Sequence, residues 1–181
     1  MIQINIVSRI NEDKNFFFDL LFVAQKLLEK NLTGFRLLFI GDILSRTVYQ
    51  DMIRLIGLFG LSEHVSFTKK SIRFADLPGE VRAGYFFNFT IGNFMGYSGV
   101  ESLDYGFKTI FYNTDRELDE KTDKSVAMCA NIAGLVTLLS SICEDPAGLE
   151  EQVKADNLLM KKRFLLDDQD RAFLRQAMNP A

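Results

Sequence analysis

Cysteine and histidine are scarce in this chain: Cys129, Cys143 and His64 are all that 181 residues provide. The two cysteines stand far apart, with neither a metal-ligand nor a redox spacing, so each is expected as a buried thiol on a helix. His64, placed just before a short β-forming run, reads as an exposed loop residue rather than a catalyst. An excess of one charge is also missing. Lysine and arginine number 21 against 24 aspartates and glutamates, for a formal net charge of -3 and a pI of about 5.3. That balance excludes a broad electrostatic grip on nucleic acid and leaves room only for a local anion site. No apolar run approaches the roughly 20 residues of a membrane span, and no signal peptide is expected before the first strand. The first strand-like run is followed by SRINEDKN, which holds no Gly-x-Gly and no acidic pair. A dinucleotide-binding domain of an oxidoreductase needs the former, and a receiver domain the latter. The expectation is a cytosolic domain without metal or cofactor, with peripheral contact at the inner face of a membrane left open.

The chain is 48% apolar and 12% aromatic, enough for one folded α/β domain with its own core. Ile2 to Val7, Phe35 to Ile40, Val65 to Thr68, Tyr85 to Thr90 and Thr109 to Tyr112 read as strands, from β-branched and aromatic runs bounded by polar or glycine punctuation. Between them the period changes to that of helices. Phe17, Leu20, Leu21, Ala24, Leu27 and Leu28 share one face of Phe16 to Lys30, with Asn11 or Asp13 as the expected cap. Tyr49 to Phe59 repeats the pattern, and Asp76 to Ala83 is a short helix with Pro78 in its first turn. Asp115 to Lys124 is a charged loop. Ser125 to Ile142 reads as a long apolar helical stretch, interrupted at Gly134 and ended by Asp145 and Pro146, followed by helices over Leu149 to Phe164 and Gln169 to Met178. The phenylalanines at 16 to 18 and at 86, 87 and 89 are core by default. Alternation of strand and helix predicts a Rossmann-like α/β fold: a mostly parallel sheet of five or six strands with helices on both faces. It forms one domain over residues 1–181, with residues 146–181 as its C-terminal helices. Ligands of such sheets sit at the carboxyl ends of the strands, at the switch point.

One stretch meets that edge with an unusual density of glycine: IGNFMGYSGVESLDYG, Ile91 to Gly106, directly after a buried strand. Gly92, Gly96 and Gly99 precede a helix that begins near Val100, and Gly106 is its expected C-cap. Amide N–H groups at such a helix tip suit a phosphate, with the backbone of Met95, Gly96, Tyr97 and Ser98 as the cradle. Glu101, expected in the first helical turn, is close enough to reach hydroxyls on whatever carries the phosphate. A tight strand-to-helix turn would use the same glycines. Lys69 and Lys70, after the third strand, read as a solvated pair.

The spacing of these residues resembles the C-terminal, donor-binding domain of family 4 glycosyltransferases of the GT-B fold. Ser8, Arg9, Ile10 and Lys14 follow the family's pattern after the first strand, and Gly41 matches the glycine that ends the second. Leu58, Gly60, Leu61, Val65 and Phe67 follow the next phrase. Gly96, Glu101 and Gly106 match the turn glycine, the second of two glutamates and the glycine after the helix. The resemblance covers roughly residues 1–145 and has departures: Asn93 stands for the first glutamate, Phe94 for the glycine beside it, Lys108 for a proline and Thr68 for a glycine. It implies a nucleoside diphosphate sugar as donor substrate, retaining transfer without a metal, and a glycan or lipid-linked acceptor such as a bacterial polysaccharide. It also implies an N-terminal acceptor-binding domain as partner. On that resemblance Arg9 and Lys14 flank the diphosphate, where two cations stabilise the charge that grows on a leaving group. Glu101 accepts from the ribose hydroxyls, Gly41 lies at the nucleotide site and Asn93 faces the donor sugar. An amide there cannot act as acid or base, so a degenerate, non-catalytic nucleotide-binding or scaffolding module is the competing reading.

Overall fold

A computed structural model describes residues 1–92, 96–114 and 125–178. Its elements run β1 (Ile2–Val7), α1 (Phe16–Glu29), β2 (Phe35–Ile40), α2 (Arg46–Leu58), β3 (Val65–Phe67), a 3-10 turn (Phe74–Asp76), α3 (Gly79–Arg82), β4 (Tyr85–Phe89), α4 (Tyr97–Asp104), β5 (Lys108–Tyr112), β6 (Met128–Cys129), α5 (Ile132–Glu144), α6 (Pro146–Phe164) and α7 (Asp168–Met178). The six strands form one sheet in the order β3-β2-β1-β4-β5-β6, and every pairing is parallel. The expected Rossmann-like α/β fold is what forms.

Strand alternation explains the layers. Phe35, Leu37 and Phe39 of β2 and Tyr85 and Phe87 of β4 belong to the larger core cluster, with Phe17, Leu20, Leu21 and Leu27 of α1 and Leu135 and Leu139 of α5. Ile40, which follows Phe39, and Phe86, between Tyr85 and Phe87, face the other way, where Phe74, Leu77 and Val81 cover them. Phe17, with none of its surface exposed, packs edge-on against Phe39 at 5.7 Å between centroids. Among the described residues, the start of β5 has no neighbouring strand on its outer side. There Asn157 of α6 takes the strand's place: its Oδ1 accepts from the Thr109 N–H at 2.6 Å and its Nδ2 donates to the Thr109 carbonyl at 2.8 Å. This ties α6 to the sheet and leaves neither backbone group unsatisfied. Lys108, where the resembled family has proline, bridges to Glu150 of α6 at 2.9 Å and lies over the Tyr85 ring. Among the described residues, no helix is long and apolar enough to cross a membrane.

Several expectations are corrected. Ser125 to Ile142 is not one helix: Met128–Cys129 pairs with Phe111 and Tyr112 as a sixth strand, so Cys129 is buried on a strand, and α5 starts only at Ile132. Asn131 makes that break, its side chain accepting from the Gly134 N–H at 2.8 Å. Neither Asn11 nor Asp13 caps α1; Asn15 holds the N-cap position without a side-chain bond, because a backbone turn from Lys14 N–H to the Asn11 carbonyl intervenes. Asp76 to Ala83 splits at Leu77 and Pro78 into the 3-10 turn and the four-residue α3. α2 starts a turn early because Ser45 caps it, accepting from Val48 N–H. His64 is half-buried, stacked on Phe35 with its Nδ1 at 3.0 Å from the Phe35 carbonyl. The loop expected over Asp115 to Lys124 lies outside the described residues.

The chain lays down β1, β2 and β3 in one direction, then returns to place β4 on the other side of β1. The loops that leave β1 and β4 therefore diverge from adjacent strands, which opens a crevice at their carboxyl ends.

Candidate functional site

The loop after β1 is fastened at both ends. Ser8 N–H donates to the Ile40 carbonyl at 3.0 Å and Ile10 N–H to the Asp42 carbonyl at 2.9 Å. Ile10 is buried and forms an isolated parallel bridge with Ile43. Arg9 thus springs from a peptide held between two anchors while its side chain stays exposed. Gly41 lies directly beneath. A Cβ there would fall on the Ser8 carbonyl oxygen and within 2.6 Å of the Ser8 carbonyl carbon and 3.0 Å of Arg9 N. Thr68, standing where the resembled family has glycine, accepts from the Gly41 N–H at 3.2 Å.

Lys14 folds back from the start of α1 and donates to Ser8 Oγ at 2.7 Å. Burial holds its pKa below the ordinary lysine value of 10.5; the neighbouring Arg9 charge adds to this and Asp13 opposes it. Asp42 anchors the loop after β3, accepting from Ser71 Oγ at 2.5 Å and Ser71 N–H at 3.2 Å. Those bonds hold its carboxyl below the usual range, with a smaller contribution from Arg9.

On the other side of the crevice, Thr90 extends β4 by donating its N–H to the Tyr112 carbonyl. Gly96 then turns the chain at φ 70° and becomes the N-cap of α4, with no side-chain cap. A positive φ at this point suits glycine alone among common residues. The helix begins at Tyr97, not near Val100. Gly99 is consequently inside the helix, where a Cβ would come within 2.8 Å of the Phe111 ring. Glu101 is consequently in the second turn rather than the first. Gly106, at φ 72°, ends the helix as expected: Phe107 N–H reaches the Ser102 carbonyl at 3.0 Å and Gly106 N–H the Leu103 carbonyl at 3.0 Å, the Schellman pattern.

These two loops enclose a cavity of about 530 Å³. Arg9, Asp13 and Lys14 line one wall, and Gly96, Tyr97 and Ser98 at the start of α4 line another. Phe16, Phe87 and Phe89 form an apolar floor, and Ser71, Ile72 and Thr90 complete the rim. Two cations and the N-terminal end of a helix, which carries partial positive charge, face the same space. Such a set holds an anion with two centres of charge better than a single carboxylate. A second cavity of about 450 Å³ adjoins it, sharing Val7, Ile72 and Ser98 and adding Arg73, Phe74, Glu101 and Tyr105.

Arg9, Lys14, Gly96, Tyr97 and Ser98, singled out in the sequence, are thus gathered in one place. Glu101 faces the adjoining cavity. Gly41 is buried and lines neither, because it supports the Arg9 peptide from below. Asn93 and Met95 lie outside the described residues. Lys69 and Lys70 are exposed and line neither cavity; Lys69 takes φ 56° and lies over the Tyr49 ring. Asp13, Thr90 and Ser71 escaped the sequence reading as wall residues. Asp13 sits beside Lys14, which was a signal. Ser71 reaches the wall only through its bond to Asp42, which no local pattern announces.

No protein-family profile and no curated protein sequence matches this chain. Solved structures do. The C-terminal domain of a glycosyl transferase group 1 family protein, LpcC, from Francisella tularensis superposes with a TM-score of 0.67 at 14% identity over 90% of this chain and 85% of that one. A glycosyltransferase from Rickettsia africae gives 0.67 at 16% identity, over 97% of this chain and 46% of that one. HepE from Anabaena, solved in complex with UDP, gives 0.65 at 16% identity, over 90% and 44%. The chain spans about half the length of the last two. Its fold is therefore that of the C-terminal domain of group 1, GT-B glycosyltransferases.

Proposed function

We propose that this chain binds a nucleoside diphosphate sugar and forms the donor half of a retaining, metal-independent glycosyltransferase. The observation that carries this is the convergence of Arg9 and Lys14 with the start of α4 on one cavity. Arg9 pairs with phosphate oxygens in a fork, Lys14 adds a point charge, and the Gly96–Ser98 amides take the remaining oxygens. These donors stabilise the negative charge that builds on the diphosphate as the bond to the sugar breaks. Glu101 accepts from the ribose hydroxyls in the adjoining cavity, which gives the nucleoside its place beside the diphosphate. By the resemblance alone, Asn93 is the residue assigned to the donor sugar. The acceptor, a glycan or lipid-linked molecule, belongs to an N-terminal domain. One specific residue favours the other reading, a nucleotide-binding module without catalysis: Asn93 carries no charge where the resembled family has a carboxylate.

The first test is a thermal titration with UDP, GDP and ADP, beginning with UDP because the Anabaena protein was solved with it. A ligand at about one hundred times its dissociation constant adds about 2.7 kcal/mol of stability, so the melting temperature should rise with one nucleotide. No rise with any of them would contradict the proposal. Donor hydrolysis or transfer by the full-length protein then separates enzyme from binder.

The depressed pKa of Lys14 gives this binding a pH dependence. Free Lys14 loses its proton at a lower pH than an ordinary lysine, and a diphosphate beside it favours the charged form. Binding therefore takes up a proton as the pH rises through that range. Diphosphate affinity should fall between neutral pH and 10.5, and Lys14→Gln should flatten the fall; calorimetric titrations across that interval measure it. An identical slope in both proteins would remove Lys14 from the phosphate site.

A further inference from the structure

Among the described residues, two buried side-chain oxygens have no hydrogen-bond partner, Tyr85 Oη and Thr90 Oγ1. They lie at opposite ends of β4. Tyr85 opens the strand and lines neither cavity. Thr90 follows its last residue, is 4% exposed, and lines the cavity shared by Arg9, Lys14 and Gly96. Leaving a buried hydroxyl unpaired is unfavourable, and valine would fill the same volume without that cost. The backbone does not call for threonine either, since the Thr90 N–H already extends the sheet to the Tyr112 carbonyl at 2.9 Å.

We infer that Thr90 Oγ1 hydrogen-bonds the phosphate-bearing end of the ligand. This rests on the nucleotide-binding reading above and adds a residue to it. Every hydroxyl both donates and accepts. Thr90 faces the cavity with two cations and a helix amide end, where ligand oxygens are acceptors, so it acts as a donor there. It does not line the adjoining cavity with Glu101, so its partner is the diphosphate and not the nucleoside. Thr90 is a binding residue in this scheme: it neither moves a proton nor carries charge. Its bond to ligand replaces an unmade one, which makes the bound state the one in which the β4 end is fully satisfied.

The test compares wild-type protein with Thr90→Val and Thr90→Ser, using the nucleoside diphosphate that binds, its nucleoside, and inorganic pyrophosphate as probes. Thr90→Val should raise the dissociation constants of the nucleoside diphosphate and of pyrophosphate roughly tenfold and leave that of the nucleoside unchanged. Thr90→Ser, which keeps the hydroxyl, should bind close to wild type. Without ligand, Thr90→Val should melt at the wild-type temperature or above it. Unchanged diphosphate affinity in Thr90→Val overturns the inference, and so does a lower melting temperature of the free protein, which would make the hydroxyl structural. If wild type binds nucleotide and Arg9→Ala weakens it while Thr90→Val does not, only the Thr90 assignment falls. If wild type binds neither nucleotide nor pyrophosphate, the nucleotide reading falls and takes this inference with it.

Discussion

Arg9→Ala should weaken binding of the nucleoside diphosphate roughly thirtyfold and leave binding of the nucleoside alone unchanged. The size follows from losing a charge-assisted fork to phosphate oxygens, which a neutral neighbour cannot replace. The selectivity follows from position. Arg9 lines the cavity with Lys14 and the start of α4, whereas Glu101 stands in the adjoining one. The fold should be unaffected, because the Arg9 side chain is exposed and its peptide is held through Ser8 and Ile10. Calorimetry with both ligands, with thermal melts of the free protein, measures all three. Equal loss for nucleoside and nucleoside diphosphate would remove Arg9 from the phosphate site.

Gly41→Ala should cost about 3 kcal/mol of stability and weaken diphosphate binding as well. The added methyl has nowhere to go. Its neighbours are the Ser8 carbonyl carbon at 2.6 Å and Arg9 N at 3.0 Å, both backbone atoms of the loop that carries Arg9. Relief requires that loop to lift from β2, which strains the bonds from Ser8 to Ile40 and from Ile10 to Asp42. Arg9 would move with its peptide. Gly34→Ala is the control, since nothing lies within 4 Å of a Cβ there. Chemical denaturation should separate the two variants clearly; equal stability would show that the β1 loop yields without cost. In the proposed site Gly41 would act by supporting the Arg9 peptide rather than by touching ligand.

The sheet was legible because its strands are buried on both faces and read as short apolar runs between punctuation. β1, β2, β4 and β5 have that form. β6 does not: Met128–Cys129 is two residues inside an apolar run that also fits a helical face, and only pairing with Phe111 and Tyr112 makes it a strand. Asn131 was the available sign, since asparagine before an apolar period is a start signal. The start of α4 at Tyr97 departs from the local pattern for a related reason. Three glycines looked like one turn, but Gly96 makes the turn and Gly99 exists so that the helix can approach Phe111. In the site, Arg9 and Lys14 were legible as cations after the opening strand, at the edge where such sheets bind ligands. Thr90 was not. An unpaired hydroxyl is a property of everything around it, and it becomes visible only when all the neighbours are in place.

In the proposed function one pocket, formed by the loop after β1 and the tip of α4, serves one diphosphate. A crystal structure of the protein with a bound nucleoside diphosphate addresses this most directly. It should show the two phosphates between the Arg9 and Lys14 side chains and the amides of Gly96 to Ser98, with the ribose toward Glu101. Phosphates bound elsewhere, with Arg9 and Lys14 left in solvent, would contradict it.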